Sequence, residues 1–203
     1  MNIDAIMRTA PIIPVLVIDE VDQAAPIAEA LVAGGLCVLE VTLRTSTALD
    51  VIREMKSVSG AIVGAGTVCN AADLEAALAA GAEFIVSPGL TEPLGRAAIA
   101  SGIPFLPGVA SASDIMRGFD LGLDRFKFFP AVASGGLAAL RALAGPFAKA
   151  AFCPTGGITE STAPEWLAEE AVLCVGGSWI VPRGQADPAR IRLAAESATR
   201  LRG

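Results

Sequence analysis

The chain of 203 residues is expected to fold as an α/β protein of the (β/α)8 barrel type, with eight parallel strands alternating with helices. Three features carry that expectation. Short apolar strand-like runs begin near Ile12, Val38, Ile62, Phe84, Phe105, Phe126, Ala151 and Val172, spaced 21 to 26 residues apart. Alanine- and leucine-rich amphipathic segments fill the intervals. Polar and glycine-rich residues gather where the runs end, which is where a barrel keeps its chemistry. Such units pair in parallel through right-handed crossovers, and eight of them close naturally into a barrel. A doubly wound open sheet competes, because a strand count does not prove closure.

Taken in order, the segment before Ile12 reads as a short extra helix. Helical segments follow at Asp22 to Ala33, Ser46 to Met55, Asn70 to Ala80, Thr91 to Ala100, Ser111 to Leu121 and Gly135 to Ala144, and Asp187 to Leu201 reads as the last. Asn70, Thr91 and Ser111 suit N-caps, and Gly34 and Gly81 suit helix ends. No linker or low-complexity stretch divides the chain, so one barrel domain is expected over residues 1–203.

Hydrophobic residues make up 53% of the chain, which implies an extensive core or apolar surface shared between subunits. No apolar run reaches the ~20 residues that span a bilayer, and the first residues lack the basic start of a secretory signal. The four cysteines (Cys37, Cys69, Cys153 and Cys174) form no CxxC pair and read as reduced thiols of a cytoplasmic protein. A net charge of −6 argues against nucleic acid as a partner. Histidine and tyrosine are absent, so no ordinary zinc site can be assembled and no metal is expected. Acid–base work falls to carboxylates, lysine, cysteine or water.

Of only three lysines, Lys56 and Lys149 sit in polar or loop-like surroundings, whereas Lys127 is centred in Phe126-Lys127-Phe128-Phe129-Pro130. Burying an ammonium is costly, and a lysine that is partly neutral near pH 7 can attack a ketone to form a Schiff base. A strand-end lysine that snorkels to water is the alternative. The two-residue strand period puts Val38, Glu40, Thr42 and Arg44 on one face and Leu39, Val41 and Leu43 on the other. The apolar face packs on helices, so Glu40 points inward, either as a proton carrier or as the structural partner of Arg44 or Lys127. By the same logic Phe126 and Phe128 face outward, and Arg125, Lys127 and Phe129 face inward.

The later runs end in Thr155-Gly156-Gly157 and Gly176-Gly177-Ser178. Glycine loops after the seventh and eighth strands of a barrel are a familiar phosphate cradle, with backbone N–H groups and the Ser178 hydroxyl as donors. A keto acid with a distal phosphate fits the whole arrangement. Arg44 holds its carboxylate, Lys127 attacks its ketone and Glu40 moves protons, with no cofactor needed.

The chain resembles the 2-keto-3-deoxy-6-phosphogluconate aldolase family of class I Schiff-base aldolases. The segments that carry the likeness include Leu39-Glu40-Val41-Thr42-Leu43-Arg44-Thr45, Val63-Gly64-Ala65-Gly66-Thr67-Val68, Ser87-Pro88-Gly89-Leu90-Thr91, Phe126-Lys127-Phe128-Phe129-Pro130-Ala131, Phe152-Cys153-Pro154-Thr155-Gly156-Gly157-Ile158 and Gly176-Gly177-Ser178-Trp179. The resemblance implies Lys127 as the Schiff-base residue and Glu40 as proton acceptor. It implies Arg44 and Thr67 on the pyruvate carboxylate and Thr155 as the reader of C4 stereochemistry. Gly157, Gly177 and Ser178 match the phosphate site, and Pro88 and Phe129 line the pocket. The implied reaction splits 2-keto-3-deoxy-6-phosphogluconate into pyruvate and glyceraldehyde 3-phosphate; many members also cleave 4-hydroxy-2-oxoglutarate. A homotrimer is implied too.

One position departs from the pattern: Val132 stands where the family commonly has glutamate. Three rivals remain: the galactonate-series aldolase of opposite C4 stereochemistry, a phosphosugar isomerase or epimerase on the same barrel, and a catalytically silent phosphate-binding barrel.

Overall fold

The computed structural model describes residues 1–184 and 187–201. A short helix α1 (Ile3–Arg8) precedes strand β1 (Ile12–Leu16), and strands and helices then alternate. They are α2 (Ala24–Ala33), β2 (Val38–Thr42), α3 (Ala48–Met55), β3 (Ile62–Gly66), α4 (Ala71–Ala79), β4 (Phe84–Val86) and α5 (Glu92–Ser101), followed by β5 (Phe105–Leu106), β6 (Gly108–Val109) and α6 (Ala112–Asp120). The remainder comprises β7 (Arg125–Phe128), α7 (Gly136–Ala144), β8 (Ala151–Pro154), α8 (Ala163–Leu167), β9 (Val175–Gly177) and α9 (Pro188–Thr199).

All ladders are parallel. Six strands form one sheet in the order β5-β4-β3-β2-β1-β9, and β6-β7-β8 form a second. The expected fifth strand is thus divided into β5 and β6 at Pro107, whose ring has no N–H to give a ladder. Its carbonyl still accepts from Lys127 N at 2.8 Å. At the other edge β8 meets the β9 region through isolated bridges, Phe152 to Val172 and Thr155 to Gly176. The strand expected from Val172 begins only at Val175.

Side-chain alternation sorts the core into two layers. Phe126, Phe128 and Phe152 belong to the large cluster between strands and helices, as the outward assignment of the two β7 phenylalanines requires. Ile13, Val38, Phe84, Val86, Leu106, Ala151 and Cys153 form a second cluster. These residues come from both sheets, so the sheets face one another across a shared interior. Helix α1 adds Ile6 and Met7 to that cluster, both fully buried, each contributing on the order of 2 kcal/mol by area. Asp4 on α1 accepts from Arg125 Nε on β7 at 2.6 Å and pins this plug at the N-terminal ends of the strands.

The caps follow the sequence in part. Asn70 accepts from Asp73 N, and Ser111 with Asp114 forms a reciprocal capping box. Thr91 occupies the N-cap of α5 without a side-chain bond. Gly34 closes α2 in right-handed conformation, and Ala80 rather than Gly81 caps α4.

Candidate active site

Lys127 and Glu40 meet inside the fold. Lys127 on β7 pairs in register with Gly108 and Cys153, and its Nζ donates to Glu40 Oε1 on β2 at 2.9 Å. Their side chains retain only 5% and 4% exposure. Snorkelling to water is therefore ruled out as the account of Lys127. The ammonium also lies 5.4 Å from the Phe129 ring centroid. Phe129 falls just past the end of β7 and is half-buried, so it is not an inward residue of the strand itself.

Gly66, at the end of β3, makes this pair possible. A β-carbon there would collide with Glu40 Oε1 and stand 2.7 Å from its Cγ. The next residue, Thr67, has φ of 62°, a left-handed conformation that a β-branched residue rarely adopts and that costs on the order of 1 kcal/mol. Its Oγ1 accepts a long bond of 3.4 Å from Arg44 Nε.

Arg44 is where the sequence expectation fails. Strand β2 ends at Thr42, whose hydroxyl donates to Leu16 O; Leu43 N still donates across to Gly66 O at 2.8 Å, and the chain then turns, with Arg44 N donating back to Thr42 O at 2.8 Å. Arg44 is thus an exposed rim residue rather than an inward strand residue, linked to the interior through Thr67.

On the other side Thr155 is buried and bridges Gly176; a β-carbon on Gly176 would overlap the Thr155 hydroxyl. Gly156 and Gly157 have φ of 105° and 76°, which suits glycine alone. Gly176 and Gly177 are the last residues of β9 rather than loop residues, and exposed Ser178 opens the loop. Among the described residues the N–H groups of Gly157, Ile158, Ser178 and Trp179 find no protein acceptor, leaving donors on both segments for an anion. The Pro88 carbonyl packs so closely on Gly108, Lys127's neighbour in register, that no β-carbon would fit.

Beyond the rim, Asp19 after β1 receives two bonds of 2.9 Å from Arg183, and this guanidinium holds its carboxyl below the usual range. Among the described residues no group of His, Cys, Asp or Glu is arranged to hold a metal ion, and no helix is long and apolar enough to cross a membrane.

A family model described as KDPG and KHG aldolase matches residues 3–193. The chain belongs to the KDPG and KHG aldolase family. A curated member, the 2-dehydro-3-deoxy-phosphogluconate aldolase of Zymomonas mobilis, is 59% identical over 198 residues, covering 98% of this chain and 95% of the relative. The solved 2-keto-3-deoxy-6-phosphogluconate aldolase of Zymomonas mobilis ZM4 with 3-phosphoglycerate matches with a TM-score of 0.97 at 58% identity, over 98% of this chain and 96% of that one. A KDPG aldolase from Legionella pneumophila, with pyruvate captured at low pH as a covalent carbinolamine intermediate, matches at TM-score 0.94 and 43% identity, over 98% of both chains.

Three residues around the site of this KDPG/KHG aldolase family member carried no sequence signal of their role. Ser87 is fully buried and donates to Gly89 O at 2.7 Å, shaping the turn that carries Pro88. Gly66, at the end of a strand-like run, gave no hint that its missing side chain makes room for Glu40. The Trp179 ring closes over Gly177, and its buried Nε1 has no partner.

Proposed function

We propose that the protein is a class I aldolase that cleaves 2-keto-3-deoxy-6-phosphogluconate to pyruvate and D-glyceraldehyde 3-phosphate. The observation that carries this is the buried 2.9 Å contact between Lys127 Nζ and Glu40 Oε1, facing loops with free amide donors. Lys127 passes a proton to Glu40 and attacks the C2 ketone with its freed lone pair. Glu40 returns that proton to the carbinolamine hydroxyl, which leaves as water and gives an iminium, an electron sink for the C3–C4 bond, with Glu40 again a carboxylate. Glu40 takes the C4 hydroxyl proton as that bond breaks and aldehyde departs, then returns a proton to C3 of the enamine. Hydrolysis of the pyruvyl imine restores Lys127.

Arg44 and Thr67 hold the carboxylate at the rim. Thr155 reads C4, Pro88 and Phe129 wall the pocket, and Gly156, Gly157, Gly176, Gly177 and Ser178 surround the phosphate. 4-Hydroxy-2-oxoglutarate, which lacks the phosphate, is a second substrate of the same chemistry, in keeping with the description of the family. The galactonate-series epimer is the alternative, and pyruvate release measured on the two C4 epimers decides between them: faster turnover of the galactonate epimer overturns the proposal.

The strands are proposed to close into one (β/α)8 barrel domain. Support comes from the continuity of β5 with β6 across Pro107 and from the two bridges between β8 and the β9 region. A cytoplasmic homotrimer completes the reading, supported by the resemblance and by exposed Ile99 and Met116 on α5 and α6. Sedimentation at a monomer mass would overturn the trimer.

A further inference from the structure

Arg44 stands on the turn that follows β2, and threonine hydroxyls bind that turn to the neighbouring chain. Thr42 Oγ1, before it, donates to Leu16 O at 2.8 Å. Thr45 Oγ1, after it, lies 3.0 Å from Ile18 O, and Thr47 Oγ1 lies 3.2 Å from Ile18 O and 3.0 Å from Asp19 O. The two hydroxyls are also 3.1 Å apart. Each has one proton to give, so between them they supply two donations to this cluster of carbonyls in the loop after β1.

Thr47 forgoes another use of its hydroxyl to do this. It is the N-cap residue of α3, yet its side chain makes no capping bond to that helix. A threonine at an N-cap ordinarily stabilises its own helix by accepting from the first turn. Here the hydroxyl reaches the loop after β1 instead, and that loop is itself anchored. Ile18 is buried in the core, and Asp19 takes two bonds of 2.9 Å from Arg183. Arg44 has the opposite character: its side chain is exposed, enters no ion pair among the described residues and meets Thr67 Oγ1 only at 3.4 Å. A long side chain so loosely tethered is aimed by the backbone that carries it.

We propose that Thr45 and Thr47 are positioning residues for Arg44. By fixing its turn against the loop after β1, their hydroxyls set where the guanidinium meets the substrate carboxylate. They act through Arg44 and take no part in the chemistry at Lys127. The inference rests on the assignment of Arg44 to that carboxylate. Paired bonds between a planar guanidinium and a carboxylate are geometrically demanding, so a small displacement of the turn weakens them.

The test follows borohydride trapping of the pyruvate imine at varied pyruvate. It compares the parent with Thr45→Val/Thr47→Val, Thr45→Ser/Thr47→Ser, Arg44→Gln, and Arg44→Gln combined with the valine pair. Valine keeps the branched shape without the hydroxyl, and serine keeps the hydroxyl. The valine pair is expected to raise half-saturating pyruvate about tenfold with the limiting trapping rate unchanged, since misplacement by about 1 Å can cost on the order of 10²-fold. The serine pair is expected to restore the parental value. In the Arg44→Gln background the valine pair is expected to add nothing, because two changes that act through one contact are not additive. Unchanged half-saturation in the valine pair, failure of serine to restore it, or the full effect in the Arg44→Gln background overturns the proposal. If Arg44→Gln itself leaves half-saturation unchanged, the carboxylate assignment fails and the proposal with it. An absent imine in the parent removes the aldolase reading and both inferences. Thermal unfolding identifies misfolded variants; should the valine pair be one, Thr45→Val is read against Thr45→Ser with the same expectations.

Discussion

Lys127 on the three-stranded sheet and Glu40 on the six-stranded sheet share one buried 2.9 Å hydrogen bond across the interior. Neither charge reaches water, so each depends on the other for compensation. The contact serves a structural ion pair or a proton relay equally well, and substitution separates the two roles.

Glu40→Gln keeps the shape and hydrogen-bonding capacity of the side chain but removes the base. The fold and substrate binding are expected to survive while turnover falls by about 10²–10⁴. Steady-state kinetics alongside thermal unfolding measure this. Near-parental turnover would reduce Glu40 to a structural partner of the lysine.

Gly66→Ala brings a methyl group into the space of the Glu40 carboxylate. Displacing that side chain is expected to cost about 1–3 kcal/mol of stability and most of the activity. Chemical denaturation and the same kinetic assay check both. Parental behaviour would mean that the Glu40 position tolerates movement.

Thr67→Gly removes backbone strain at φ 62° along with the Oγ1 that Arg44 approaches. Relief of strain and the added flexibility of the unfolded chain offset one another, so stability is expected to stay within about 1 kcal/mol of the parent. Pyruvate affinity is expected to fall. A large stability loss with unchanged affinity would contradict a binding role for Thr67.

Asp4 ties α1 to β7, and its pKa is lowered by its hydrogen bonds from Arg8 and Arg125, which outweigh burial. A lowered folded-state pKa contributes stability that is present above the ordinary carboxylate value of about 3.9 and is lost as pH falls through the lower native one. Asp4→Asn is therefore expected to lower Tm at pH 6, with the gap closing in acid. Each pair is partly exposed, so the loss is under about 1 kcal/mol. A gap that stays constant into acid would contradict this account of the plug.

The residues that made the site legible in the sequence were those fixed by strand alternation. Leu39 and Val41 had to face helices, which turned Glu40 inward; Phe126 and Phe128 did the same for Lys127. Arg44 was misplaced because alternation holds only while the strand lasts, and nothing in Thr42-Leu43-Arg44 announces that the chain turns right after the Leu43 N bond to Gly66 O. Pro107, by contrast, does announce the interruption between β5 and β6. The clearance that Gly66 gives Glu40, the hold of Asp4 on Arg125 and the contact of Val132 with Gly157 join residues far apart in sequence, so local pattern carries no trace of them.

The most direct test of Lys127 as the imine-forming residue is borohydride reduction in the presence of pyruvate, followed by intact mass and peptide mapping. The chain has three lysines, so the adduct can be assigned without ambiguity. One pyruvyl adduct on Lys127, absent from Lys127→Arg, is the expected result. A folded protein with no adduct, or with the adduct on Lys56 or Lys149, would contradict the Schiff-base account.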